Sequence, residues 1–286
     1  MNECKKAVTK TVTGIAAMFG IYWVWLCFIK NSITLPDALE TVIGLISLYG
    51  IGFSVFFMIT KKLPNSSYEK GKVSAKTVLL CFLLQFTALT VLTIIVNISS
   101  AVSGNEKVPE INALSPYSLF MLILFNPIIE EIVFRKIFAD KLLKYGEGIY
   151  MLVSSFCFAL VHGVSLGIPQ ILYTFILGMI WSYLTAKTGD IRLSAVMHSL
   201  SNLMGSVMIQ LLAGISMMLA GMYSMLMIFM GIAGFVLFIV NKKKISIDGK
   251  SRIFSKENIK EIFSAKAVWL YICITAVFIV IRHIYL

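Results

Sequence analysis

Charged side chains are scarce in this sequence. Only 14% of its 286 residues are Asp, Glu, Lys or Arg, whereas 58% are hydrophobic, and the mean hydropathy is +0.88. Soluble domains of this length do not have such a balance. The shortage of charge therefore excludes a soluble globular protein and indicates an integral membrane protein.

Cysteines are also few, and the five present are scattered along the chain. Their odd number and wide spacing argue against a disulfide framework and against a metal cluster. Internal repeats, low-complexity tracts and a glycine-rich nucleotide-binding loop are absent as well. The short alternating segments of a β-barrel do not occur either, so the predicted fold class is an all-α, polytopic helical membrane protein.

Apolar stretches long enough to cross a bilayer recur down the chain, and we expect about eight to nine transmembrane helices. The candidate spans are residues 11–29, 39–60, 77–98, 117–138, 149–165, 168–186, 193–213, 217–240 and 266–285. The only gap with room for a small extramembrane element is 241–265. We therefore expect a single membrane domain over residues 1–286, whose N-terminal apolar segment is an uncleaved anchor.

The basic residues predict the orientation of the chain. With the N-terminus in the cytoplasm, 22 of the 25 Lys and Arg residues fall at cytoplasmic ends of spans, and only Lys30, Lys107 and Arg282 fall outside. Positive charge is retained on the cytoplasmic side of membrane proteins. The net charge of +11 is thus explained by a multi-pass protein in the lipid bilayer of the cell membrane, with no need for nucleic acid.

Ionisable residues inside the spans are the strongest functional signal, because each is costly to keep in a membrane. The stretch 126–140 reads NPIIEEIVFRKIFAD. Asn126 and Pro127 predict that a helix restarts here, which would place the two glutamates near its positive end. Glu131 can pair with Arg135 four residues later. Glu130 points about 100° away and is left free to activate water. The alternative is an ordinary charged helix end at the cytoplasmic surface.

Two further polar groups lie in later spans. Phe158 and His162 are four residues apart in FALVHG, and His198 and Asn202 are four apart in HSLSN. A histidine and an asparagine at this spacing can present two hydrogen-bond donors to one oxyanion. The alternatives are a histidine buried in ordinary packing and helix pairing through the same groups. Isolated amides elsewhere, at Gln85, Asn97 and Gln210, are expected to join helices by hydrogen bonds.

These groups fall in one third of the chain, so the fourth, fifth and seventh spans are expected to converge on one polar cavity. One mismatch opposes this. At about 1.5 Å per residue, Glu130 and His198 lie roughly 8 to 12 Å from the cytoplasmic ends of their spans, but His162 lies about 20 Å from its own. Two histidines and a carboxylate also suit zinc, which Glu130, His162 and His198 would hold. The HExxH spacing is absent, and we favour no metal.

The three motifs, in this order and each in an apolar segment, resemble a known family. EEIVFR matches EExxxR, FALVH matches FxxxH and HSLSN matches HxxxN. This pattern is similar to the CPBP intramembrane proteases, also called Abi proteins. They include the type II CAAX prenyl endopeptidases and bacterial bacteriocin-processing or immunity proteins. The resemblance places a family-like catalytic core at about residues 117–213.

The resemblance implies a helical fold with a cavity open to the cytoplasm and hydrolysis of a peptide bond close to the bilayer. Glu130, assisted by His162, would activate the water, and His198 with Asn202 would stabilise the oxyanion. Glu131 and Arg135 would hold the motif helix. The family is described both as metal-dependent, with zinc, and as metal-free and glutamate-dependent, and we favour the latter.

The substrate implied is a membrane-associated protein or peptide, either a CAAX-type prenylated protein or a leader or bacteriocin-like peptide. Two other functions stay open at this point. In an ion-coupled transporter, intramembrane Glu and His would relay protons, although no second half with matching motifs occurs. In a catalytically idle scaffold, the same fold would bind a partner in the membrane.

Overall fold

The computed structural model describes residues 2–68, 70–103, 113–241 and 253–285. The regular elements of these residues are helices, so the predicted all-α class is confirmed. In chain order they are α1 (Glu3–Ile29), α2 (Asp37–Thr60), α3 (Ala75–Ala101), α4 (Pro116–Tyr145), α5 (Glu147–Leu166), α6 (Pro169–Thr188), α7 (Arg192–Ile215), α8 (Met217–Asn241), α9 (Lys256–Phe263) and α10 (Lys266–His283).

Eight of these helices are long and apolar enough to cross a membrane, namely all except α6 and α9. The predicted sixth span, residues 168–186, lies in α6 and is not among the eight. This helix has 20 residues, about 30 Å, but it carries polar side chains in its middle and second half. Three of them, Thr174, Ser182 and Thr185, are buried inside the protein. The polarity of α6 therefore reflects its packing against neighbouring helices.

The middle of α4 differs from the prediction in two ways. No helix restarts at Asn126, whose backbone is helical (φ −61°, ψ −48°) and whose N–H bonds the Met121 carbonyl within the helix. Pro127 is accommodated because the preceding turn, Met121–Phe125, is a π-helix. The extra residue in this turn shifts the backbone hydrogen bonds around the proline, which has no N–H to donate. The glutamates thus lie inside a continuous helix. That helix also runs to Tyr145, seven residues past the predicted end of the fourth span.

The helices α5 and α6 pack against each other as an antiparallel pair. A Cβ atom built on Gly178 would lie 3.0 Å from the Cα and Cβ atoms of Ser155, so a larger residue at 178 would force the two helices to shift. The helix α8 packs on α3 and exposes most of its apolar side chains, as expected for a helix that faces lipid.

The bundle has two halves that differ in packing. The packed half contains the start of α1, the end of α4, the start of α5 and the end of α6. Its interior side chains are fully buried, among them Val12, Phe138, Leu142 and Tyr150. The hollow half contains the other ends of these helices and surrounds a cavity. Both halves are crossed by the same helices, and Glu130 lies close to the boundary between them.

Candidate active site

A cavity of about 820 Å³ occupies the hollow half. Its volume is in the range of small-molecule and cofactor pockets. The lining residues lie in the ranges 18–30, 37–49, 89–92, 117–134, 158–166, 170–181 and 198–210. Glu130, His162, His198 and Asn202 are all among them. The structure therefore brings together the polar residues of the three motifs on α4, α5 and α7.

Glu130 presents one unpartnered oxygen to this cavity. Its Oε2 atom lies 3.9 Å from His162 Nε2 and 3.7 Å from His198 Nε2, both beyond hydrogen-bond length. Within the described part of the chain, this buried oxygen has no hydrogen-bond partner. A buried acceptor without a donor is unfavourable, so the arrangement requires a hydrogen-bond donor from outside the protein.

His162 is oriented by its own helix. Its Nδ1 atom is 2.9 Å from the carbonyl oxygen of Phe158, one turn earlier, and its ring packs on the Phe158 ring with centroids 4.3 Å apart. A carbonyl oxygen only accepts hydrogen bonds, so Nδ1 carries the hydrogen and donates it. In the neutral ring Nε2 is then a bare acceptor that points toward Glu130.

His198 is oriented by the second glutamate. Its Nδ1 is 3.2 Å from Glu131 Oε1, and its ring stacks on Trp181 with centroids 4.1 Å apart and planes 20° from parallel. A carboxylate accepts, so Nδ1 again donates and Nε2 again faces Glu130. Glu131 thus contacts a catalytic candidate directly, which its predicted role of holding the helix did not include.

Glu131 and Arg135 form an ion pair with no solvent exposure. Arg135 Nε lies 3.2 Å from Glu131 Oε2. The guanidinium also lies over the rings of Phe158, at 4.4 Å from the centroid, and Trp181, at 5.3 Å. Among the described residues, its terminal nitrogens have no hydrogen-bond partner. The aromatic faces therefore compensate part of the charge that hydrogen bonds leave uncompensated.

The Asn202 side chain donates a hydrogen bond to a backbone carbonyl of α4. The Asn126 N–H donates to Met121 O, one residue further back than in an α-helix. The next donor in this π pattern would be Pro127, which has no N–H. The carbonyl of Leu122 is left without a backbone donor, and Asn202 Nδ2 donates to it at 2.8 Å. One N–H of the predicted oxyanion donor is therefore already engaged.

Trp181 and Gln85 are two site residues that the motifs did not reveal. Trp181 stacks on His198 and donates its Nε1–H to Gln85 Oε1 at 3.0 Å. Gln85 also donates to Met197 Sδ at 3.6 Å. Gln85 joins α3 to α6 and α7, as predicted for an isolated amide. The sequence contained one signal for this contact, namely Trp181 itself, because a buried indole N–H needs a hydrogen-bond acceptor.

The other two amides differ from each other. Gln210 accepts a hydrogen bond from the Ala113 N–H at 2.8 Å, which ties the chain before α4 to α7. Asn97 donates to Thr93 O in its own helix and joins no second helix through this bond.

The mismatch in depth between Glu130 and His162 disappears because α4 is longer than predicted. Glu130 lies fifteen residues before the end of α4, and His162 lies fifteen residues after the start of α5. Both are about 22 Å from the same end of the bundle. His198 reaches them from α7, which begins only six residues before it.

The candidate zinc ligands Glu130, His162 and His198 converge on the floor of the cavity, where both histidine Nε2 atoms lie 3.7 to 3.9 Å from Glu130 Oε2. Across the described residues, no group of three or more His, Cys, Asp or Glu side chains has the geometry of a metal site. The metal-free mechanism stays a prediction.

Comparison with known proteins identifies the segment that carries this site. Residues 112–204 match the model of the family described as Type II CAAX prenyl endopeptidase Rce1-like. The resemblance inferred from the three motifs is therefore confirmed. The Rce1-like segment contains all six predicted site residues and supports a CAAX-type intramembrane endopeptidase in a multi-pass membrane protein. Searches of the curated proteins and of the solved structures give no match.

The lining of the cavity extends from Glu130 toward the end of the bundle that contains Lys30, Asp37 and Tyr117. The cytoplasmic opening of the cavity and the cytoplasmic N-terminus stay predictions.

Proposed function

We propose that this protein is an intramembrane endopeptidase that hydrolyses a peptide bond of a membrane-associated substrate with water activated by Glu130. The observation that carries the proposal is the unpartnered Glu130 Oε2, which faces two imidazole nitrogens at the floor of a cavity. The Rce1-like segment supports the protease class. The catalytic machinery is assigned to a core at about residues 117–213.

Two acceptors at the floor favour a bound water. Glu130 Oε2 and the bare Nε2 atom of His162 face each other across 3.9 Å, and each lacks a donor when the His162 ring is neutral. A water molecule has two hydrogens and can donate to Glu130 and to His162 at the same time. This double contact would orient the water oxygen toward a substrate carbonyl and would prepare it to lose a proton to Glu130.

The two histidines differ in the group that accepts the hydrogen bond from Nδ1. Nδ1 of His162 donates to a neutral carbonyl, whereas Nδ1 of His198 donates to the Glu131 carboxylate. A carboxylate behind the ring fixes its orientation, as in other carboxylate–histidine pairs. We therefore assign to His198 the donation of an Nε2 hydrogen to the developing oxyanion, and to His162 the support of the water.

The reaction then balances in two steps. The water oxygen attacks the carbonyl carbon, its proton goes to Glu130, and the oxyanion accepts a hydrogen bond from His198. The second N–H of Asn202, beside the one given to Leu122, provides a supplementary donor. Collapse of the tetrahedral intermediate breaks the C–N bond, and Glu130 returns its proton to the departing amine.

Glu131 and Arg135 are positioning residues in this scheme. Their buried pair fixes the Glu131 side chain, and Glu131 in turn fixes the orientation of His198. The stacked Trp181 restrains the same ring from its face.

The proposed location is the cell membrane, with the N-terminus in the cytoplasm. This orientation follows from the 22 of 25 Lys and Arg residues that fall on one side.

The test is cleavage of membrane-associated peptides by the purified protein in lipid nanodiscs. We expect Glu130→Gln to lose cleavage, because the amide cannot accept the proton of water. Glu147→Gln is the matched control, since Glu147 pairs with Lys187 in the packed half, away from the cavity. Cleavage by Glu130→Gln at the wild-type rate would reject the proposed base.

The same assay separates the alternatives. Loss of cleavage on chelation, restored by zinc, would replace the metal-free mechanism. Proton-coupled uptake into vesicles without any proteolysis would favour the transporter. Substrate binding without cleavage or uptake would favour the idle scaffold.

A further inference from the structure

The packed half contains a cluster of buried hydroxyl groups beside the Glu131–Arg135 ion pair. They belong to α5, to the second half of α6 and to the first turn of α7, and each residue is at most 1% exposed: Tyr150, Ser154, Ser182, Thr185 and Ser194. A hydroxyl group is costly to bury unless it forms hydrogen bonds. The hydrogen bonds of this cluster therefore indicate what it can bind.

The hydrogens of four of these hydroxyl groups are already donated. Ser182 donates to Ser154 at 3.2 Å, and Ser154 donates to a backbone carbonyl of α4 at 2.6 Å. Thr185 donates to Ser194 at 3.1 Å, and Ser194 donates to the backbone carbonyl just before α7 at 2.9 Å. A carbonyl oxygen only accepts, so the direction of both chains is fixed. The oxygens of Ser182 and Thr185 can therefore only accept a further hydrogen bond.

Arg135 and Tyr150 lack partners at the same place. Both side chains are fully buried, and the terminal nitrogens of Arg135 and the Tyr150 hydroxyl have no hydrogen-bond partner among the described residues. The Tyr150 hydroxyl lies next to the hydroxyls of Ser182 and Thr185 and within electrostatic range of Arg135. Its single hydrogen can serve only one of the two oxygens. The cluster thus lacks an acceptor for the guanidinium group and a donor for a hydroxyl oxygen.

These two needs favour water over an anion. Water both accepts and donates, and buried waters typically make about three hydrogen bonds to polar groups that are otherwise unsatisfied. An anion such as chloride would accept from Arg135 but would have no hydrogen to donate to Ser182 or Thr185. Glu131 also already balances the charge of Arg135 in their ion pair.

We propose that the packed half holds at least one structural water, bound by Arg135, Tyr150, Ser182 and Thr185. The water would restrain the Arg135 guanidinium, which pairs with Glu131, and Glu131 orients His198. Tyr150 is then a positioning residue for catalysis, although it does not line the cavity. This consequence for catalysis rests on the proposed function, whereas the water site does not.

The test is hydroxyl-radical footprinting of the full chain in lipid nanodiscs, by X-ray radiolysis in ¹⁸O-enriched water with mass spectrometry. Radiolysis of a bound water oxidises the side chains that contact it, so we expect Tyr150 to be modified in spite of its burial. Tyr271 is the matched control, because it is also fully buried but its hydroxyl donates to the Cys157 carbonyl at 3.1 Å. We expect Tyr271 to stay unmodified. Equal modification of the two tyrosines, or of neither, would overturn the proposal.

Substitutions at Thr185 test the position of the water. Thr185→Val removes the hydroxyl at nearly constant size, whereas Thr185→Ser keeps it. We expect the valine variant to lower the modification of Tyr150 and the serine variant to leave it at the wild-type level. Unchanged modification in Thr185→Val would overturn the assigned site.

Cleavage by the purified protein tests the consequence for catalysis. Tyr150→Phe removes one hydrogen bond to the water, and kcat is expected to fall about fivefold, which is the equivalent of one hydrogen bond. KM should stay unchanged, because Tyr150 lies outside the cavity. Tyr271→Phe should keep the wild-type kcat. A wild-type kcat in Tyr150→Phe, or a rise in KM alone, would overturn the positioning role.

The water site and the proposed function fail separately. Modification of Tyr150 in a protein that cleaves no peptide would leave the water site and reject the endopeptidase. An active endopeptidase in which Tyr150 is not modified would reject the water site alone.

Discussion

The packed half and the hollow half are built from the same helices but treat charge in opposite ways. Glu131 is completely buried, with Arg135 and His198 nitrogens each 3.2 Å from one of its oxygens, whereas the Glu130 side chain is 22% exposed and its Oε2 lies 3.7 to 3.9 Å from two imidazole nitrogens. Because the two glutamates are adjacent in α4, their side chains point about 100° apart into the two environments. The comparison shows how two adjacent glutamates can differ in role. Glu131 points into close packing and holds its neighbours in place, whereas Glu130 points toward the cavity, where a substrate could reach it.

The largest effect is expected from breaking the ion pair of the packed half. Arg135→Met leaves Glu131 as an uncompensated buried charge, which costs about 3–5 kcal/mol of unfolding free energy. Lys136→Met is the matched control, because the Lys136 side chain is 48% exposed and its pair with Asp140 contributes about 1 kcal/mol or less. Denaturant unfolding in detergent measures both. Equal effects would contradict the distinction between the halves.

The next effect concerns the histidines. His198→Ala removes the proposed oxyanion donor, and the cleavage rate is expected to fall by about 10² to 10³. The third histidine of the chain offers a control, because His283 lies outside the cavity and its Nε2 bonds the Val164 carbonyl at 3.1 Å. His283→Ala should cleave like wild type. A matching loss in both variants would show that the effect is structural.

A pair of serine substitutions compares the halves directly. Ser206 lines the cavity, whereas Ser155 is fully buried against Gly178. Ser155→Phe should lower stability by about 1–3 kcal/mol through overpacking. Ser206→Phe should leave the melting temperature near that of wild type and raise KM, because the ring fills space meant for substrate. Comparable destabilisation by both would mean that the cavity is not open space.

The smallest effect is expected at Gln85. Gln85→Leu removes the acceptor of the Trp181 N–H, and one such hydrogen bond contributes about 1 kcal/mol, or roughly a fivefold change in rate. Asn97→Leu is the control, since Asn97 is exposed and bonds its own helix. If Trp181 positions His198, the Gln85 variant should also change the pH profile of kcat, which a purely structural loss would leave in place.

The sequence predicted most of the fold and the identity of the converging residues. Hydropathy marks long spans because a bilayer requires about 20 apolar residues, and intramembrane Glu and His stand out against that background. The family resemblance ordered the same residues into motifs, and the match over 112–204 confirms it. The roles of these residues stay predictions.

What sequence reasoning missed depends on register and on distant contacts. The π-helical turn before Asn126 carries α4 through Pro127, where local signals predict a new helix start. The engagement of Asn202 with Leu122, and of Glu131 with His198, joins residues about 70 to 80 positions apart. Single-sequence patterns do not contain such pairings.

The central claim is that Glu130 activates water and does not itself attack the substrate. A single-turnover cleavage in ¹⁸O-enriched water, with mass spectrometry of the product and of the Glu130 peptide, tests it most directly. The account predicts one ¹⁸O atom in the new carboxylate and none on Glu130. Label on Glu130 after one turnover would show a covalent acyl intermediate and would contradict the account.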